Sequence, residues 1–277
     1  MKKAAVEYID DNQFLTQLTT AVMKLRAEGS LRNSRALMKT LRSGSPDIVL
    51  APPASKIMHQ ATLYESLKKK VLVHCSTCRC RARPNEHVIF STTYAITTDT
   101  VVFNYHALED NEHFHAVADS CGRVFPVKEI LAVDKMNDIA IASVIGGDFS
   151  PFALSPDEPA GSPVVVMSHP SNQFYVMTRG AISRYCLCPN QFENRTCLEG
   201  KRMGMSVTAD FANGSSGAPI LNENGNVVGM VESTLPIYFC GGDDRQNHLQ
   251  MVMKKCVPVR CILDLIEARA SMTLPDH

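Results

Sequence analysis

Apolar and polar positions along this chain change rhythm near residue 70. Before it they recur at helical spacing. Phe14, Leu18, Val22 and Leu25 share one face, and Gly29 is placed to end that helix. Leu37, Met38 and Leu41 outline a second helix, closed by Ser43-Gly44-Ser45-Pro46. Pro52-Pro53 breaks the chain, and Ser55 is a candidate cap for a third helix with Ile57, Ala61 and Tyr64 on one face. Apolar stripes of this kind are usually core, so residues 1–70 read as a helical extension packed on the next domain. A pro-segment or a partner-docking arm is the sharper alternative. From Val71 the rhythm becomes that of short strands with turn residues between them. The candidates are 71–74, 94–98, 101–104, 114–118, 127–133, 139–144, 164–168, 175–182, 203–208, 219–221 and 227–232. That spacing predicts a mainly β chain, an antiparallel barrel or sandwich rather than βαβ units. Residues 259–268 have the texture of a closing helix, and Asp157-Glu158-Pro159-Ala160-Gly161 is the best linker between two halves.

Composition narrows the picture modestly. A chain of 277 residues with 45% apolar content can bury one large core or two small ones. The formal net charge is zero, so nothing points to nucleic acid. No apolar run approaches the roughly 18 residues of a membrane span, and the first ten residues lack the apolar stretch of a signal peptide. The 10 cysteines change more. An even, high count fits disulfides and an oxidising compartment. The expectation is therefore an extracytoplasmic (periplasmic or secreted) protein whose signal has been removed; a cytoplasmic one is the alternative. Cys186, Cys188 and Cys197 look like a loop stapled to itself or to the Cys240 region. Cys75, Cys78 and Cys80, with His87 nearby, contain a C-x2-C spacing that suits zinc. A zinc site needs a second pair and none is clearly present downstream, so disulfides or free thiols are favoured. No cofactor is expected.

Three candidate catalytic residues emerge in the order His, Asp, Ser. Ser216 lies in Gly214-Ser215-Ser216-Gly217-Ala218-Pro219. Without a Cβ, Gly214 can turn its N–H toward a bound oxyanion together with that of Ser216, and Gly217 permits the tight turn behind. Ser215 is the weaker competitor; a plain Gly/Ser turn is the bland reading. His106 sits at the end of a strand-like run, 99–105, where a base would be rigid yet face a cleft. Asp138 precedes Ile139-Ala140-Ile141-Ala142 and could accept the histidine's Nδ1–H to fix its tautomer. Asp134, four residues earlier, reads as a solvated turn carboxylate.

Together these segments resemble trypsin-like serine peptidases, particularly bacterial ones related to the Deg/HtrA proteases. The resemblance covers about residues 71–270, with halves near 71–155 and 160–255 and a tail of 271–277. Residues 100–108 look like that family's strand-then-histidine segment, and 133–141 like its segment around Asp-Ile-Ala. Residues 213–230 look like its Gly-Asn-Ser-Gly-Gly-Pro segment followed by Val-Val-Gly-Met. The resemblance implies two six-stranded antiparallel β-barrels of chymotrypsin-like type, with the site between them. It implies a serine endopeptidase acting on polypeptides, with His106 as base, Asp138 as its orienter, Ser216 as nucleophile and the Gly214 and Ser216 amides as oxyanion hole. Asp210, six residues before Ser216, falls where such enzymes put the base of the P1 pocket; a carboxylate there favours Arg or Lys. The chain departs from the pattern with Ser91-Thr92-Thr93-Tyr94 for Gly-Ser-Gly-Phe, with Ala218 for the second glycine after the serine, and with Phe103-Asn104-Tyr105-His106 for Thr-Asn-x-His. Ser215 replaces the Asp that holds a new N-terminus in digestive relatives, so latency, if present, is expected from residues 1–70. No PDZ-sized segment follows residue 270. Two rivals stand beside the peptidase: a catalytically degenerate domain that binds peptides or a protein partner, and an esterase using the same three residues.

Overall fold

The computed structural model describes residues 8–41, 48–57, 60–80, 83–156, 158–188, 202–239 and 248–271. From Val71 onward the strands close into two antiparallel six-stranded barrels. The first comprises β1 (Val71–Cys80), β2 (Arg83–Ala95), β3 (Thr100–Phe103), β4 (His115–Ala118), β5 (Val124–Asp134) and β6 (Ile139–Val144). Its order is β1-β2-β3-β6-β5-β4, and β4 closes on β1. The second comprises β7 (Pro163–Ser168), β8 (Val176–Cys188), β9 (Arg202–Val207), β10 (Pro219–Leu221), β11 (Val227–Phe239) and β12 (His248–Pro258). Read from β7, its order β7-β8-β9-β12-β11-β10 repeats that of the first barrel, although no repeat is legible in the sequence. A barrel leaves no open sheet edge, which suits short strands whose inward faces fill the interior. The continuous apolar run of β6 reflects burial on both sides: all six of its residues are buried, as are the four of β3.

Three differences from the sequence pattern have physical causes. First, β2 begins at Arg83, well before the expected 94, because ladder pairing carries its polar start along β1 as far as Cys80↔Arg83. Second, β12 carries no readable alternation. Its first half pairs with β11 out to Phe239↔His248, away from the core, so Leu249 and Met251 stay exposed. Third, the third helix (α3 below) starts at Gln60, so Ser55 lies in an extended stretch and does not cap it.

The N-terminal extension is helical, as expected. Helix α1 (Asp11–Ala27) is capped by Asp10, whose side chain accepts the Gln13 N–H at 2.9 Å, and it buries Leu18 and Val22. Helix α2 (Ser34–Met38) is capped by Asn33, and α3 (Gln60–Lys68) leads into β1. Between them, Asn226 of barrel 2 accepts the Ala54 N–H and donates to the Ala54 carbonyl, both at 2.8 Å. Helix α4 (Val259–Ser271) comes after β12 and buries Val259, Cys261, Ile262 and Ile266. The expected turn at 43–46 and the cysteines at 197 and 240 lie outside the described residues. The inter-barrel linker is pinned at both ends: Phe152 N–H donates to Ala95 on barrel 1, and Ser155 N–H to Val227 on barrel 2. Asp157 of the expected linker lies outside the described residues.

The disulfide expectation is corrected for the described cysteines. Among the described residues no disulfide is present, and Cys75, Cys121 and Cys256 are free thiols. Cys75 and Cys256 are fully buried, and burial pushes both thiols up, so they pack as protonated apolar groups. The count of cysteines carries no geometry, so it could not mark these three as unpaired. The side chains of Cys78 and Cys80 lie outside the described residues, and no group of three or more metal-ligating side chains forms among those described. No helix among them is long and apolar enough to cross a membrane.

Three histidines are locked in the interior. His74 and His115 stack 5.3 Å apart and share an Nε2···Nδ1 contact of 3.1 Å. Burial, with the like charges of His106 and His113, pushes His74 down to about 4; burial pushes His169 down to about 3. A ring that protonates only in the unfolded chain near 6.5 draws the equilibrium toward unfolding as pH falls through the window between the two values. We expect stability to decline steadily below about pH 6.5, His74 alone removing about 3 kcal/mol by pH 4. Urea unfolding at stepped pH measures this, and a flat curve from pH 7 to 4.5 would contradict it.

Candidate active site

The candidate base is positioned by the end of β3. After Phe103 the chain turns through Asn104 into a single 3-10 turn, Tyr105–Leu108, which brings His106 to the loop between β5 and β6. There Asp138 takes two hydrogen bonds from the same residue. Its Oδ1 accepts the His106 backbone N–H at 2.8 Å, and its Oδ2 lies 2.8 Å from His106 Nδ1. The Asp138 carbonyl also accepts the Tyr105 N–H at 3.2 Å and the Asn104 side-chain amide at 3.3 Å. These contacts hold Asp138 at φ +57°, a left-handed conformation that Asp tolerates better than most residues. With the ring proton on Nδ1 facing the carboxylate, Nε2 is left as an acceptor. Burial opposes charging of His106, but the hydrogen bond and charge of Asp138, aided by Glu109 and Glu232, outweigh it and raise its pKa above 6.5. Asp134 is not a competitor. Its carboxylate is consumed by its own turn, accepting the N–H groups of Met136 and Asn137 and the Asn137 side-chain amide.

The candidate nucleophile lies on barrel 2 before β10. Gly214 and Gly217 adopt φ +93° and +84°, so both positions call for glycine. Space is equally restrictive: a Cβ on Gly217 would stand 2.2 Å from the Thr92 carbonyl, and one on Gly214 2.5 Å from the His169 carbonyl. Ser215 is fully buried and bonded to Ser168 Oγ at 2.9 Å and to the Ala212 N–H, which makes it structural. Ser216 is half-buried, and its Oγ donates to the Glu232 carbonyl at 3.0 Å. Among the described residues, the N–H groups of Gly214 and Ser216 have no hydrogen-bond partner.

Thr92, a departure from the family pattern, is what joins the barrels here. Its N–H donates to the Ser216 carbonyl at 3.0 Å, and its hydroxyl donates to the Gly214 carbonyl at 2.9 Å while accepting the His169 N–H at 3.2 Å. Sequence reasoning passed over Thr92, His169 and Glu232 as functional positions. Only Thr92 carried a signal, as part of the anomalous 91–94 stretch. A second Ser–His contact, Ser34 Oγ to His115 Nε2 at 2.8 Å, is wholly buried with His74 and cannot meet a substrate. Asp210 is not gathered into an enclosed floor. Its side chain is 87% exposed and pairs with Lys254 Nζ at 3.2 Å, which offsets its charge.

The family model for the trypsin-like peptidase domain matches residues 87–230, just over half of the chain, a stretch that includes His106, Asp138 and Ser216. The chain belongs to the trypsin-like peptidase family. Among solved structures, this trypsin-like peptidase is similar to the active form of the Rv3671c protease of M. tuberculosis, at 20% identity and a TM-score of 0.56, covering 85% of this chain and 95% of that one. An inactive serine-to-alanine form of the same protease, from M. tuberculosis H37Rv, aligns at 18% identity and a TM-score of 0.54, covering 80% of this chain and 98% of that one. At such identities the likeness bears on the fold alone. No curated protein sequence matches the chain. For this peptidase domain, Gly214→Ala is expected to lower kcat on a peptide ester about 100-fold, because both backbone angle and packing push the amide out of place. Steady-state kinetics would show it, and a loss confined to KM would contradict it.

Proposed function

We propose that the protein is a serine endopeptidase using Ser216 as nucleophile, His106 as general base and Asp138 as its orienter. The observation that carries this reading is the double hydrogen bond from His106 to Asp138, which fixes the ring's tautomer and direction. The Ser216 hydroxyl turns from the Glu232 carbonyl to His106 Nε2 and attacks the scissile carbonyl as His106 takes its proton. The imidazolium is stabilised by Asp138, and the oxyanion by the free amides of Gly214 and Ser216. His106 then protonates the leaving amine, and a water activated by the same ring releases the acyl group. The exposed, ion-paired Asp210 weighs against a preference for basic P1 residues.

A second reading, a catalytically degenerate domain that binds peptides, is favoured by one observation: the Ser216 hydroxyl is bonded to Glu232 and not to His106. A fluorophosphonate separates the two. The peptidase reading expects an adduct that maps to Ser216 and disappears in His106→Ala. Peptide binding by folded protein with no adduct would select the degenerate domain. Turnover of acyl esters but never of amides would select the esterase.

A further inference from the structure

We infer that helix α1 is an intramolecular clamp on residues 169–175 that fixes the Gly214 amide, making Asp11 and Phe14 positioning residues for the reaction. The inference rests on the peptidase reading above.

It starts from where the backbone is strained. Among the described residues only four non-glycine residues have positive φ. One is Asp138; the other three, Ser171 (50°), Asn172 (62°) and Tyr175 (61°), fall within five consecutive positions. A bulky aromatic in the left-handed region is a true outlier, held there only if its surroundings insist. This strained loop lies directly against the oxyanion glycine. The Ser171 N–H donates to the Asn213 carbonyl at 2.7 Å. Beside the Cβ position of Gly214, the nearest atoms are the His169 carbonyl and the Ser171 nitrogen. A shift of the loop therefore moves the amide that must point at the developing charge.

What insists on the strained form is α1. The Asp11 carboxylate accepts the Phe174 N–H at 2.8 Å, a bond made across 163 residues of sequence. The Phe14 ring meets Phe174 edge-on at 4.7 Å and Tyr175 at 6.1 Å. Inside the loop, His169 completes the chain of contacts. Its ring is packed by Phe174 and Tyr175, its Nδ1 accepts the Tyr175 N–H at 3.1 Å, and its Nε2 donates to the Leu72 carbonyl at 3.3 Å. Being neutral and fully buried, the ring keeps this donor–acceptor pattern at ordinary pH. The direction of control is thus the reverse of inhibition. Among the described residues no hydrogen bond of α1 reaches His106, Asp138 or Ser216; besides Cys121 and Glu86, which anchor it to barrel 1, it holds the loop behind the oxyanion hole.

The test uses the full chain and two readouts, the rate of Ser216 phosphonylation by a fluorophosphonate and kcat and KM on a peptide ester. Asp11→Ala is expected to slow phosphonylation and lower kcat at least about tenfold, with KM changed less than about threefold, because a displaced oxyanion donor acts on the transition state. Asp11→Asn keeps an acceptor oxygen for the Phe174 N–H and is expected to restore both rates to within about threefold. A merely structural role for Asp11 would not give this split. Phe14→Leu, which keeps the apolar helix face but removes the ring contacts, is expected to act like Asp11→Ala and stands in if that variant fails to fold. Wild-type rates in folded Asp11→Ala, or equal losses in the Ala and Asn variants, would overturn the clamp while leaving the peptidase reading intact. No labelling of the unaltered chain would overturn both.

Discussion

Ser216→Ala is expected to lose at least about 10⁴-fold in kcat while the protein stays folded. Among the described residues the hydroxyl makes one hydrogen bond, to the Glu232 carbonyl, at a half-buried position, so its removal should cost only about 1 kcal/mol of stability. The packing around it does not depend on it: Ser215, not Ser216, ties the turn to Ser168, and Thr92 holds the backbone carbonyls of Gly214 and Ser216. Steady-state turnover and a thermal melt of the same sample check the prediction together. Turnover within about tenfold of the unaltered protein would remove Ser216 from the mechanism, since triad serines act at a larger scale.

Asp138→Asn is expected to cost a comparable factor, about 10⁴-fold, for a different reason. Asn suits the left-handed backbone at this position, so the loop should survive. Its Oδ1 can still accept the His106 N–H, but its Nδ2 then faces Nδ1 and donates to it. The ring proton must move to Nε2, the nitrogen that should receive the serine proton. The sign of the pH effect has the same origin. In the native protein Asp138 raises the pKa of His106, so activity is lost as pH falls through a value above 6.5. Without the carboxylate charge that acid limb moves to lower pH, even as the plateau collapses. A pH profile of kcat/KM for both proteins decides it; an unmoved acid limb would mean that another group titrates.

The sequence disclosed those parts of the site whose chemistry is local. The two glycines around Ser216, the apolar run after Asp138 and the strand before His106 are each written within ten residues. Thr92 and His169 were not legible in that way. The bonds of Thr92 to His169 and Gly214 span 77 and 122 residues, and no local pattern marks their ends. The barrels were legible wherever a strand buries a face, as in β3 and β6. They were not where the β11–β12 hairpin stands away from the core. The N-terminal stripe of Phe14, Leu18 and Val22 announced a packed helix. It could not say that the first of these residues would rest on Phe174 rather than cover a cleft. Cysteine number did not foretell that Cys75, Cys121 and Cys256 are free thiols, because a count holds no distances.

The repeated barrel order bears on when the protein can first act as it leaves the ribosome. The proposed base and orienter, His106 and Asp138, belong to a barrel whose last strand ends at Val144, so they can be in place early. The turn that carries Ser216, the proposed nucleophile, belongs to a barrel that cannot close until its last strand, β12, pairs with both β11 and β9. Barrels formed one after the other during synthesis would therefore leave the nascent chain with a base and no seated nucleophile until residue 258 has emerged. On the proposed peptidase reading, strand order alone would keep a half-made chain from cutting its neighbours.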